Sequence, residues 1–299
     1  MIRPPTDNPR AILAMIYSMA AFVAGDALIK TASRDLPLGE MLAIRGAAGV
    51  ALMLAFIHAS GAVHSVLHLL TRANIARSFS DVGATHFFFA GLFMMPFADA
   101  AAIGQFAPLA VTAAAALFFA EPVGWRRWLA TVVGFIGVMI IIRPGTTAFN
   151  WGAVFIIASI ACIVTRDLLT RVISLDLPVS VITLSTLVAV GLSGLVRGFF
   201  ETWVWPAPGA LVLVVCAAIT NCIGYFGVVA AMRYGDISTV GPFRYTAIPF
   251  AVLLGWLVFG EVPDMVAFVG MAIVIAAGLY TLHRERVRRL EAAAREGKP

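Results

Sequence analysis

Charge is scarce in this sequence: Asp, Glu, Lys and Arg make up 12% of its 299 residues, against roughly a quarter in soluble domains. Hydrophobic residues make up 61%, so the chain cannot clothe itself in a polar surface and belongs in a bilayer. Cysteine is nearly absent. Cys162, Cys216 and Cys222 lie inside apolar runs and form no CxxC pair, which excludes a disulfide framework and a zinc signature. Also missing are a nucleophile paired with a base, a phosphate-cradling loop and a metal triad, so the expectation is a protein that is not an enzyme and takes no cofactor. His64 and His68 stand one helical turn apart, but no carboxylate or cysteine is close in sequence. The stretch from His58 to Arg77 is read as a short interfacial helix rather than a metal site. No short apolar core followed by a small-residue cleavage site opens the chain, so no cleaved signal peptide is expected.

What the chain does have is long apolar runs and a repeat of itself. Asp26, Leu28, Lys30, Ser33 and Pro37 each find a counterpart 141 residues later, in Asp167, Leu169, Arg171, Ser174 and Pro178. Such a register marks two halves of one plan, joined near Arg143-Pro144-Gly145. Apolar runs about 20 residues long span a hydrocarbon core of about 30 Å. Ten are predicted, at 11–32, 38–58, 76–95, 98–119, 125–143, 151–171, 178–198, 208–232, 237–258 and 264–283. The fold class is thus an all-α membrane protein, with repeats over 11–143 and 151–283 and a basic tail over 284–299. Five crossings per half is an odd number, so the second half starts on the opposite side and the halves form an inverted pair.

Charge placement orients the chain. The net charge is +5, and six of the 21 basic residues lie in the tail. That position points to a cytoplasmic membrane face and away from nucleic acid. With the N-terminus inside, Arg3, Arg10, Arg72, Arg77, Arg126, Arg127, Arg166, Arg171 and Arg233 join the tail on the cytoplasmic side. Lys30, Arg34, Arg143 and Arg197 fall outside. Both termini are therefore expected in the cytoplasm. All six tryptophans (Trp125, Trp128, Trp151, Trp203, Trp205, Trp256) fall near predicted helix ends, where amphipathic rings settle at the headgroups.

Phe22, Lys30, Pro37 and Arg45 in the first half, with Ala98-Asp99-Ala100, Pro108-Leu109 and Leu117-Phe118-Phe119-Ala120-Glu121, follow the spacing of an EamA-type repeat. The second half offers Arg233-Tyr234-Gly235-Asp236, Pro242, Tyr245, Gly255 to Glu261, Gly270 and Gly278. Together these resemble the drug/metabolite transporter superfamily over nearly the whole chain. Thr186 stands where a base would match Arg45, and Gly260 matches Ala120. The resemblance implies a bacterial inner-membrane carrier of small organic molecules working by alternating access, closest in overall likeness to exporters of amino acids, including aromatic ones. A carrier of a vitamin, nucleotide derivative or drug is the alternative, and a passive pore is the alternative of another class.

Ionisable and amide groups inside a bilayer are costly and point to cavities or partners. His86, Gln105, Asn221, Tyr225, Arg244 and Tyr245 qualify, with Phe89 as an aromatic wall. They predict a cavity between the third, fourth, eighth and ninth helices, with Arg244 meeting a carboxylate. Interhelical hydrogen bonding is the competing role for them, and Phe87 and Phe88 are read as lipid-facing or core. Pro108, Pro242 and Pro249 interrupt helices and suit hinges or static kinks. Asp26 and Lys30, one turn apart with the acid first, suit an ion pair that anchors or gates. Glu121 and Glu261 are expected to cap the helices that follow them. No acidic residue is placed at mid-membrane, and no metal is expected.

Overall fold

The computed structural model describes residues 8–59, 71–119, 124–172, 179–235 and 237–296, with the side chains of 171–181, 233, 237–238 and 288–296 excepted. The predictions for His64 and His68, for Glu121 and for the Asp176-Leu177-Pro178 copy fall outside the described residues. Every described element is helical: α1 Asn8–Ala32, α2 Leu38–Ala59, α3 Arg72–Met94, α4 Phe97–Gly104, α5 Ala107–Phe118, α6 Trp125–Ile142, α7 Gly152–Val172, α8 Val179–Gly198, α9 Pro208–Tyr234, α10 Ile237–Val240, α11 Ala247–Leu254 and α12 Met265–Glu296. A 3₁₀ segment, Gly241–Thr246, joins α10 to α11, and a π turn, Gly255–Phe259, follows α11.

Local chemistry sets these ends. Pro208 opens α9, where its missing N–H is no loss. Gly260 closes the π turn at φ 66°, a conformation that costs glycine nothing. Pro108 sits in the first turn of α5, and the predicted fourth helix breaks just before it, at Gln105 and Phe106. The ring of Pro108 clashes with the carbonyl four residues back and supplies no N–H. The predicted ninth helix winds successively as α, 3₁₀, α and π, with Pro242 and Pro249 each in the first turn of a new segment. The last helix passes the predicted end at 283 and continues to Glu296.

Eight helices among the described residues are long and apolar enough to cross a membrane. Many large apolar side chains face outward: Leu13, Phe79, Phe118, Leu192 and Met265 are all more than half exposed, the inverse of a soluble surface and suited to lipid. Trp125, Trp151 and Trp205 are exposed near helix ends.

The helices pack chiefly in four pairs, α1 with α9, α2 with α8, α3 with α7 and α6 with α12. Contacts run antiparallel in each. Gly25 meets Thr220 while Gly227 meets Ser18, and Gly137 meets Ile273 while Gly270 meets Ile141. Close approach depends on small residues, as is usual between helices in lipid. Gly46 and Gly191 bring the backbones of α2 and α8 together with no space for a side-chain carbon between them. The core is built around Met15, Ile29, Met41, Phe97, Ile103 and Ile156.

Candidate functional site

A cavity of about 300 Å³ lies among α1, α2, α3, α7, α8 and α9, a size at the lower end for a small-molecule site. Its depth follows from position along the helices at 1.5 Å per residue. Arg45 is seven residues from the start of α2, about 10 Å in, and Asp81 is thirteen residues before the end of α3, about 20 Å in from the same end. The cavity thus straddles the middle of a hydrocarbon core about 30 Å thick.

Four pairs of wall residues are related by the 141-residue offset: Phe22 and Ile163, Arg45 and Thr186, Gly46 and Leu187, Ala84 and Tyr225. Both halves therefore furnish the cavity with corresponding positions, but the chemistry has diverged within each pair.

Asp81 anchors the polar wall. It is buried, and it receives Arg166 Nη1 at 2.9 Å on one oxygen, with Thr186 Oγ1 at 2.8 Å and Arg77 Nη1 at 3.2 Å on the other. Arg77 also donates to Thr186 at 2.8 Å and to Thr170 at 3.0 Å, and Arg166 reaches Asp167 at 2.8 Å. A buried carboxylate with two guanidinium partners and a hydroxyl is fully satisfied. The network ties α3 of the first half to α7 and α8 of the second.

The rest of the lining is largely apolar and aromatic and carries a second acid and base. Phe22 meets Tyr225 edge-on at 5.3 Å, and Arg45 lies over the ring of Phe89 at 5.4 Å. Asp26 and Arg45 interact through space, yet among the described residues neither has a hydrogen bond or a contact ion pair.

The structure gathers part of the predicted set. Phe89, Asn221, Tyr225 and Asp26 line the cavity; His86, Gln105, Arg244 and Tyr245 do not. His86 turns its Nδ1 to the Val82 carbonyl of its own helix at 2.9 Å, and Gln105 sits at the α4–α5 break. Arg244 is exposed and Tyr245 is buried against Gly278 of α12. The cavity walls are accordingly the first, second, third, sixth, seventh and eighth predicted helices, in place of the third, fourth, eighth and ninth. The reason is the α1–α9 and α3–α7 pairing, which carries the fourth and ninth away from the centre. Phe88, expected to face lipid or core, lines the cavity, while Phe87 is exposed. Asp81 places an acid near mid-depth, where none was expected, and Asp26 another about 9 Å in from the end of α1. Arg45, Asp81, Arg166 and Thr186 were missed as site residues. A charge inside an apolar run is itself the signal for the first three, and the repeat offset points from Arg45 to Thr186.

The end of the bundle carrying Lys30 is closed by ties between segments. Lys30 Nζ donates to Glu261 and to the Met95 carbonyl, each at 2.9 Å, and lies 4.9 Å from the Phe259 ring centre. The expected Asp26–Lys30 pair does not form: Asp26 turns to the cavity and Lys30 crosses to the other half. Glu261 accepts from the backbone N–H of Phe97, so it caps α4 rather than the helix that follows it. Asp264 takes that role, receiving the Ala267 N–H at 2.8 Å and the Arg143 guanidinium. The hydrogen bond from Arg143 holds the Asp264 carboxyl below its ordinary range. Glu40, buried, accepts from Val204 N–H at 3.1 Å, and Glu201 from Gly39 N–H at 2.8 Å.

Comparison with known proteins places this architecture. The model of the EamA-like transporter family matches residues 9–143 and again 150–282. The chain belongs to the EamA-like transporter family. As a family member with eight spanning-length apolar helices among the described residues, it is a multi-pass membrane protein of the drug/metabolite transporter superfamily. It is similar to a riboflavin transporter of Rhizobium johnstonii, 30% identical over 67% of this chain and 66% of that one. An S-adenosylmethionine uptake transporter of Rickettsia felis is 26% identical over 66% of each. The pseudopaline exporter CntI of Pseudomonas aeruginosa is 25% identical over 89% of this chain and 93% of that one. The chain thus covers about two thirds of the riboflavin and S-adenosylmethionine relatives. A crystal structure at 21% identity superposes with a TM-score of 0.64 over 93% of this chain and 99% of that one, a likeness of fold.

Proposed function

We propose that this chain is a secondary carrier of amphipathic metabolites in a bacterial inner membrane, moving them through the central cavity by alternating access. The observation that carries the reading is a cavity near mid-depth whose walls come from corresponding positions of both halves and combine charged groups with aromatic rings. Secondary carriers bind at the meeting of inverted repeats, near the bilayer midplane. Ten crossings in two inverted five-helix units, over 11–143 and 151–283, fit the antiparallel run of α2 against α8 and of α6 against α12, since these helices correspond across the offset. Both termini lie in the cytoplasm on this reading, and the Lys30 end faces out.

The Lys30–Glu261 tie then serves as an outer gate, joining the first half to the second across the cavity mouth. Pro108, Pro242 and Pro249 act as hinges, because each stands where one helical segment gives way to the next. The cargo class is drawn from relatives that carry a vitamin, a sulfonium nucleoside and a metallophore; this breadth favours metabolite carriage in general over amino acids in particular. Amino acids keep a place because the cavity holds an acid, a base and aromatic rings together.

Counterflow tests the reading. Liposomes holding the purified protein and preloaded with unlabelled riboflavin, S-adenosylmethionine or aromatic amino acid are expected to accumulate the labelled compound saturably. Unsaturable flux without counterflow means a passive pore.

A further inference from the structure

We propose that Arg45 and Asp26 form a head-group subsite for an α-amino carboxylate, with Arg45 taking the carboxylate and Asp26 the ammonium. The carried molecules then end in a zwitterionic head joined to an aromatic or heteroaromatic body. This rests on the central cavity being the transport site.

Asp81, Arg77 and Arg166 satisfy one another, with Thr186, Thr170 and Asp167 completing their bonds. Arg45 and Asp26 share the same cavity, and among the described residues they make no hydrogen bond or contact ion pair with each other or with a third group. Opposite charges held apart within the bilayer are costly unless something bridges them.

The chemistry of the bridge is constrained. A plain anion meets Arg45 but stands against Asp26, and a plain cation does the reverse. A neutral molecule leaves both unmet. An α-amino carboxylate presents both charges within two bonds of one carbon and adds no net charge to the cavity. The guanidinium fork suits a carboxylate in two-point contact. Phe89 under Arg45 fixes that fork, and the Phe22–Tyr225 pair offers an aromatic face close to Asp26.

The test compares ligands that differ only in the head, by thermal protection of the full-length protein in detergent. Tryptophan is set against tryptamine and indole-3-propionate. S-adenosylmethionine is set against its decarboxylated form, which keeps the sulfonium and the ammonium, and riboflavin serves as a ring system with no such head. The headed member of each series is expected to bind on the order of 30-fold more tightly than its truncated forms. Arg45→Gln should abolish the preference for tryptophan over tryptamine, and Asp26→Asn the preference for tryptophan over indole-3-propionate. The ligand series on the unaltered protein stands even if a variant does not fold. Equal protection by headed and truncated ligands, protection by riboflavin alone, or no protection by either headed ligand overturns the subsite. Counterflow in liposomes is read separately. Head selectivity with no counterflow would overturn carriage while leaving the subsite in place.

Discussion

Asp81 is the residue on which the polar wall depends. With its side chain 5% exposed and two arginines on it, Asp81→Asn leaves Arg77 without a counter-charge inside the bundle and Arg166 with Asp167 alone. The expected cost is about 3–5 kcal/mol, seen as a lower melting temperature in detergent, and Asp81→Asn combined with Arg166→Gln should recover part of it. Lys30 and Glu261 test the gate in another way. Glu261→Gln keeps an acceptor for the Phe97 N–H but removes the ion pair. In a cysteine-free background carrying Asn221→Cys, a membrane-impermeant maleimide added outside should label position 221 several-fold faster than without the change. Unaltered labelling would return Lys30 to an anchoring role. The exposed Arg143–Asp264 pair has a different bearing. A carboxyl held below its ordinary range stabilises the fold above the unfolded value of about 4 and loses that effect as pH falls through the lower folded value. This pair therefore stays closed across the neutral range, and pH dependence of transport near neutrality has to arise elsewhere.

Among the elements, α2 and α8 meet through glycine. Gly46→Val forces the two backbones apart and is expected to cost about 1–3 kcal/mol. Gly209, in the first turn of α9 with nothing within 4 Å of an added side-chain carbon, should accept Ala without loss, since Ala is the better helix former. Comparing the two melting temperatures separates close packing from a general intolerance of substitution. The α4–α5 break offers a test of hinging. Pro108→Ala restores a backbone donor opposite Gly104 and removes the ring clash. The protein should then be at least as stable, with counterflow slowed several-fold if the break flexes in each cycle, and an unchanged rate would make it a static kink.

A carrier with ten crossings has both termini on one side of the membrane. Reporter fusions after Glu296 and ahead of Asn8 are expected to be active only in the cytoplasmic format, and a reporter placed in the 199–207 connection only in the external one. The fully opposite pattern would reverse which end Lys30 closes, and termini on opposite sides would overturn the ten crossings.

Most of the helices and the plan of two halves are legible in the sequence alone. An apolar run of spanning length has no alternative in lipid, because each backbone group must find its partner within the helix. Internal repetition is visible without any contact being known. The sequence did not determine which polar groups meet. Spacing along α1 put Asp26 beside Lys30, but packing turned Asp26 to the cavity and drew Lys30 231 residues along the chain to Glu261. His86, Gln105 and Arg244 carry the right chemistry in the wrong place, since which face of a helix looks inward is set by its neighbours. Only the pairing of α1 with α9, α2 with α8 and α3 with α7 decided that Arg45, Asp81 and Arg166 share one cavity. Small residues permit that close approach, and satisfying charge away from water makes it worthwhile.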